Sequence, residues 1–322
     1  MQYKSFIARL LAIGLLAALS ATASAQGYPN KQVRVIIPFP PGGTLDTVGR
    51  LLAQKLGEQT GQVFVVENRP GGNGTIGADA VAKATADGYT LLFNASTFTT
   101  STLPLKSPPY DTVKDFAPIA LVAKAPLAVA TAKELPVTDV KSLIAHAKAN
   151  PGKLAYASAG NLLYLTGALF TSMAGIDMLH VPFRGAGPQI SAIANNDVQM
   201  AVTPVFSALP ALKSNKVRAI AVTSAQRSSA APGYPTVAES GFPGYEAVSW
   251  YAMFATAGTP KDIVDRLNAE IRRIVATPEV NEALLNQGAE PASDTPEAFG
   301  AIVRADVAKW AAIVKQTGAK PD

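Results

Sequence analysis

The stretch best placed to do chemistry is Val35 to Asp46, read as VIIPFPPGGTLD. An apolar, β-branched run passes through prolines and two glycines into a helical pattern of Leu45, Val48, Leu51, Leu52 and Leu56. That is the signature of strand, tight loop and helix N-terminus. Gly42 and Gly43 leave backbone N–H groups uncovered and Thr44 reads as an N-cap, so the first helical turn offers donors and a partial positive charge to an anion such as a carboxylate. A turn that uses Pro and Gly for geometry alone fits these residues equally well.

Two later loops have the same character. Ser158-Ala159-Gly160-Asn161 lies between a strand and the helix from Leu163, and Arg184-Gly185-Ala186-Gly187 lies between a strand and the helix from Pro188. The three loops converge if two α/β units face one another at the carboxyl ends of their strands, where open α/β sheets bind ligands. Arg184 reads either as an ion-pair partner for an anion or as a loop arginine in solvent. A hydrogen bond to a charged group contributes about 1.5 to 3 kcal/mol. Three or four backbone donors therefore reach the roughly 8 kcal/mol of a micromolar ligand, before binding entropy is subtracted.

Other chemistries find little support. The chain has two histidines, His146 and His180, and no cysteine. No G-x-S-x-G elbow accompanies them, and the carboxylates are scattered without metal-ligand spacing, so neither a nucleophile with its base nor a metal site is legible. His180, inside an apolar strand, reads as a hydrogen-bonded structural residue. Gly72 to Gly77 matches G-x-G-x-x-G, but Glu67 to Gly71 separate it from the preceding strand. It reads as a turn that lets the next helix pack closely on the sheet, not as a dinucleotide site.

Residues 1–25 carry Lys4 and Arg9, an apolar core from Leu10 to Ser20, and Ala23-Ser24-Ala25 as a small-residue cleavage site. They read as an export signal, too short in its apolar part to span a bilayer. Removing it takes two positive charges from the formal +5 and leaves +3, too weak and too dispersed for nucleic-acid binding. The expected product is exported to the periplasm, starts at Gln26 and has neither disulfides nor a lipoprotein anchor.

The elements that hold these loops alternate. Val63 to Val66 and Tyr89 to Phe93 read as strands around a helix at Ala78 to Ala84, which with the opening unit argues for a parallel sheet. Ile119 to Val122 and Leu127 to Thr131 follow as two apolar runs suited to a crossing between domains. A second α/β unit spans the middle third. The chain returns at Ala247 to Thr256 and becomes wholly helical, with Thr277-Pro278 and Thr295-Pro296 as N-cap plus N1 proline signals. The reading is an α/β protein of two lobes, 26–125 with 250–322 and 126–249. A single doubly wound domain is the competing arrangement.

The mature start at Tyr28-Pro29-Asn30-Lys31, PFPPGGTLD at 38–46, VENRPGGNGTIGADAVAKATADGYTLL at 66–92, HVPFRGAGPQ at 180–189, and TPEAF with the later Trp310 together resemble the Bug family. These are the extracytoplasmic solute receptors of tripartite tricarboxylate transporters. The resemblance covers essentially the whole mature chain and implies a two-lobed periplasmic-binding-protein fold of the type II, Venus-flytrap kind. It implies a monomer without cofactor or metal that closes on a small organic carboxylate and delivers it to membrane permease subunits. Phe39, Pro41, Gly42, Gly43 and Asp46 match the first-lobe ligand loop, and Asn94 to Ser96 lie where that lobe also reaches the ligand. Ser158, Gly160 and the following Asn161 match a carboxylate cradle in the second lobe, and Gly185, Ala186 and Gly187 the loop beyond the HVPF strand.

The chain departs from the family pattern at Asn161-Leu162-Leu163-Tyr164, where apolar bulk replaces a run of Gly, Ser or Thr. That points to a more apolar or aromatic carboxylate and puts Tyr164 among the expected ligand residues. Asp46 reads as a partner for a ligand ammonium or hydroxyl, or as a charge that favours the helix N-terminus. A ligand sensor of the same fold and an exported hydrolase are the rival functions, the latter lacking its nucleophile and base.

Overall fold

The computed structural model describes residues 27–321. The expected signal peptide lies outside the described residues. In chain order the first unit contains β1 (Val33–Ile37), α1 (Thr44–Thr60), β2 (Phe64–Asn68), a 3-10 turn at Gly72–Gly74, α2 (Thr75–Ala82), β3 (Thr90–Ala95) and a second 3-10 turn at Ser96–Thr99. Strand β1 pairs in parallel with both β2 and β3. Leu45, Val48, Leu52 and Leu56 form the buried stripe of α1 and join Val33, Val35 and Ile37 in one core, as their 3.6-residue spacing requires.

The 17-residue strand β4 (Phe116–Ala132) then runs through both halves of the molecule. The sequence predicts two separate apolar runs here, yet the structure joins them. Pro118 and Pro126 lie inside β4, and the register shifts between Pro118 and Ala120 and between Leu121 and Ala123. The shift beside Pro118 and the change of partner strand after Pro126 let the strand carry residues that cannot donate to the ladder.

The second unit follows as α3 (Val140–Ala149), β5 (Ala155–Ser158), α4 (Asn161–Ala174), β6 (Leu179–Pro182), α5 (Ala186–Ala194), β7 (Met200–Pro204), α6 (Val205–Lys213) and β8 (Val217–Val222). The chain returns in β9 (Val248–Thr256) and ends with α7 (Lys261–Val275), α8 (Pro278–Asn286), the short β10 (Glu290–Pro291) and α9 (Pro296–Thr317). Thr277 and Thr295 cap α8 and α9 through their side chains, each with proline in the first turn, as their sequence signals require. Helix α9 serves both halves. Phe299 and Val303 pack in the core around Trp250 and Phe254, whereas Trp310 and Ile313 pack in the core of the second unit.

The sheet order is β2-β1-β3-β9-β4-β7-β5-β6, with β8 and β10 also paired to β4. Phe116 to Pro126 of β4 pair with β9, and Leu127 to Ala132 with β7 and β8. The lobes therefore meet at Pro126–Leu127. Thr223 joins the crossings there: its N–H donates to Leu127 O at 2.9 Å, its Oγ1 lies 2.5 Å from Ala247 O, and Ala247 N donates back to Thr223 O at 2.8 Å.

Strand direction decides where the loops go. Ala95 of β3 pairs with Tyr251, which pairs with Ala123 of β4, so β3 and its parallel neighbours run toward the crossing. Pro204 of β7 pairs with Leu127, so β7, β5 and β6 run toward the same point from the other side. The carboxyl ends of the two parallel sets face each other.

Candidate functional site

Each facing set contains a switch point, where successive connections leave a strand in opposite directions and open a crevice. In the first lobe it lies between β1 and β3, because β2 is on one side of β1 and β3 on the other. In the second it lies between β5 and β7, because β6 occupies the far side of β5. The PFPPGG loop and the Ser96–Thr99 turn border the first crevice. The Ser158–Asn161 loop and the Pro204–Val205 junction border the second. The Ser96–Thr99 turn also packs against α4, which begins at Asn161.

The first loop is held from three sides. Pro38 is touched from below by α2: a Cβ on Gly77 would lie 2.8 Å from Arg69 O and 2.8 Å from Pro38 Cβ, so only glycine lets the helix come this close. Gly74 faces the Phe39 ring in the same way, at 3.2 Å. The glycine-rich stretch after β2 is thus the buttress of the PFPPGG loop, which fulfils its expected packing role. Asn68 supplies the third support, its Nδ2 donating to Phe39 O at 3.0 Å and to Asp46 Oδ1 at 2.9 Å.

Asp46 has internal partners on both carboxylate oxygens. Its other oxygen, Oδ2, accepts from Gly42 N at 3.0 Å and from Arg50 Nε at 3.0 Å, and the residue is buried. Both carboxylate oxygens accept bonds that hold the loop, so Asp46 is a brace for Gly42. Burial by itself would push this carboxyl up, but the bonds from Arg50, Asn68 and Gly42 outweigh it and hold the group below the usual carboxylate range.

Thr44 is also reassigned, since the N-cap is Gly43, with no side-chain cap, and Thr44 is the first helical residue. Thr47 N closes the first turn on Gly43 O at 3.0 Å, which leaves the amides of Thr44, Leu45 and Asp46 without a partner inside the helix. The two glycines differ. Gly42 sits at φ 92°, a conformation that disfavours a side chain. Gly43 is extended, with φ −82° and ψ 169°, and a Cβ there would meet nothing within 4 Å. Neither backbone nor packing requires glycine at 43, and its effect is to keep the helix end uncovered. Pro41, Gly42 and Gly43 are all exposed.

At the end of β3, Asn94 and Ser96 are buried. Asn94 Oδ1 accepts from Ala95 N at 2.8 Å. Ser96 Oγ shares a hydrogen bond with Ser249 Oγ at 3.0 Å, close to the crossing. Thr97 Oγ1, which the sequence reading missed, is buried without a partner among the described residues.

In the second lobe Gly160 and Gly185 are the N-caps of α4 and α5, again without side-chain caps, at φ 104° and φ 103°. Asn161 and Ala186 are therefore the first residues of their helices. Gly187 follows, exposed, and a Cβ there would meet nothing within 4 Å. Asn161 is buried. Ser158 Oγ is 2.8 Å from His180 Nε2, which gives His180 the structural partner expected of it. Arg184 is exposed.

Tyr164 has partners that its sequence neighbours do not announce. Its ring stacks on His180 with centroids 3.9 Å apart, and its hydroxyl accepts from Lys320 N at 3.1 Å. It ties the C-terminal tail to the second lobe. Of its neighbours, Leu162 packs in the second-lobe core, while Leu163 joins Leu127, Val202 and Ala159 in a small apolar cluster at the crossing.

Some surface concavities lie elsewhere, including one of about 620 Å³ lined by Ile190, Ala194, Ser207 and Pro210. The candidate site is set instead by strand direction, switch points and uncapped helices.

A two-lobed α/β frame whose facing strand ends carry glycine-capped helix N-termini defines the class of extracytoplasmic solute-binding proteins. The chain belongs to the tripartite tricarboxylate transporter receptor family, whose model matches residues 48–319. It is 36% identical to the protein BugT of Bordetella pertussis over 320 residues, 97% of this chain and 98% of that one. The structure of R. palustris Rpa4515 with adipate superposes with a TM-score of 0.81 at 35% identity, covering 91% of this chain and 99% of the other. MatC of Rhodopseudomonas palustris with bound malate gives 0.75 at 30% identity, covering 89% and 100%. Among the described residues no helix is long and apolar enough to cross a membrane.

Proposed function

We propose that this chain is a periplasmic receptor, not an enzyme, that closes its lobes on a small organic carboxylate and presents it to permease subunits of the tripartite tricarboxylate type. The observation that carries the reading is the opposition of three helix N-termini, α1 from one lobe and α4 and α5 from the other, each capped by glycine without a side chain. Positive helix ends and their first-turn amides favour an anion. Lobe closure removes water and strengthens each such bond.

The apolar cluster of Leu127, Leu163, Val202 and Ala159 at the crossing supports a ligand with an apolar stretch next to its carboxylate. Relatives crystallised with adipate and with malate set the range to be searched. A thermal-shift screen with adipate, malate, benzoate, a neutral sugar and a cationic amine tests the reading, since a ligand that binds only the native state raises the melting temperature. Carboxylates, with adipate or benzoate ahead of malate, are expected to raise it. A shift by sugar or amine alone would overturn the anion cradle. Delivery is tested by uptake into vesicles holding the permease, which should require this protein.

A further inference from the structure

Gln189 lies in the first turn of α5 and is fully buried. Its Nε2 donates to Ala157 O at 3.0 Å and to Val202 O at 2.8 Å. These carbonyls belong to β5 and β7, the two strands that flank the second-lobe switch point. Their parallel ladder has the pairs Tyr156 with Met200 and Ala157 with Ala201. On the other side of β5 the ladder with β6 continues to Ser158 and Pro182. At the end of the β5–β7 pairing one side-chain amide joins the two strands, with both of its N–H donors engaged.

We infer that Gln189 is the positioning residue of the second-lobe ligand crevice, a wedge that satisfies β5 and β7 while holding their carboxyl ends apart. Without it, two buried carbonyls would each lose a donor, and such losses are costly enough to shift the strands. The strand ends would close on each other or drift, and the Ser158–Asn161 loop and the Pro204–Val205 junction would lose their spacing. Two further atoms mark this place as polar. Gln189 Oε1 and Thr203 Oγ1 are buried without a partner among the described residues, so the crevice has hydrogen-bonding capacity that the described chain does not use.

The inference deepens the carboxylate-receptor reading and rests on it for its consequence for affinity, but the wedge itself is testable without ligand. Gln199 provides a matched control. It bridges the same region of sheet at the amino end of β5, its Oε1 accepting from Ala155 N at 2.9 Å, and so lies away from the crevice. Gln189→Met keeps the length of the side chain and removes both donors; Gln199→Met does the same at the control position. In unliganded protein, hydrogen exchange in Gln189→Met should quicken at the Ser158–Asn161 loop and the start of α6, with Gln199→Met leaving these amides at wild-type rates. Unchanged protection in Gln189→Met overturns the wedge.

By calorimetry with the best carboxylate of the screen, Gln189→Met should raise the dissociation constant at least tenfold and Gln199→Met less than twofold, even where both lower the melting temperature. Equal weakening in both variants, or wild-type affinity in Gln189→Met, also overturns it. Wild-type protein that binds no carboxylate would overturn the receptor reading while the exchange result still decides the wedge.

Discussion

Gly43→Val separates a ligand loop from a structural turn. The backbone at Gly43 is already extended, a conformation that valine adopts readily, and the added Cβ meets nothing within 4 Å. The folding cost is then confined to replacing glycine by a poorer N-cap, about 1 kcal/mol, partly offset by the lower chain entropy of the unfolded valine variant, about 0.4 to 1 kcal/mol. The unliganded melting point should move by no more than a few degrees.

Binding should respond very differently, because a branched side chain beside the amides of Thr44, Leu45 and Asp46 blocks the approach of a carboxylate. Loss of two charge-assisted hydrogen bonds at about 1.5 to 3 kcal/mol each removes some 3 to 6 kcal/mol, or two to four decades of affinity. At a ligand concentration one hundred times the wild-type dissociation constant, the native state gains about 2.7 kcal/mol from binding, and nearly all of that gain should vanish. Differential scanning fluorimetry with and without ligand measures both effects on one sample. A variant that retains the full ligand shift, or whose unliganded melting point falls by as much as the shift it loses, refutes the assignment.

Two further variants test the supports of the site. Asp46→Asn should lower stability at neutral pH by about 1 to 3 kcal/mol, because the carboxylate that holds Gly42, Arg50 and Asn68 loses its charge. Since the folded carboxyl titrates below its unfolded value, its contribution is complete above about pH 4 and fades as pH falls through the folded value. Urea unfolding of both proteins from pH 7 to pH 3 should therefore show the gap closing toward acid, and a gap that widens there would contradict the brace. Thr223→Val removes the hydroxyl that ties Ala247 to the crossing beside Leu127. Unfolding stability should fall by about 1 to 3 kcal/mol through the orphaned carbonyl, which chemical denaturation measures; an unchanged midpoint would show that the hydroxyl contributes nothing there.

Most element types are legible in the sequence because they depend on local pattern. The stripe of α1, the capping signals at Thr277 and Thr295, and the β-branched run of β1 each state their structure within a few residues. The three glycine loops are legible for the same reason. Thr44 reads as the cap because Gly and Thr both suit that position, and only the backbone angles choose between them. Strand β4 reads as two pieces because Pro118 and Pro126 normally end a strand. A register shift beside Pro118 and the change of partner strand after Pro126, which no local window contains, allow them here. Asp46 and Tyr164 read as ligand residues because their neighbours in sequence do. The structure adds partners that no local reading contains, Asn68 for Asp46 and the Lys320 backbone for Tyr164, which lie 22 and 156 residues away.

By itself the sequence determined the α/β class and the three glycine-bearing helix starts, all properties of residue type and short spacing. Only the tertiary structure decided that the carboxyl ends of β1 to β3 face those of β5 to β7 across Pro126–Leu127, because that follows from antiparallel pairing between strands far apart in the chain. The PFPPGG loop gains its support from Gly77 and Asn68, and the second crevice its spacing from Gln189, through contacts of the same long-range kind. Local pattern can announce a donor. Its direction, and what already occupies its neighbours, are set by which distant segments the sheet brings alongside.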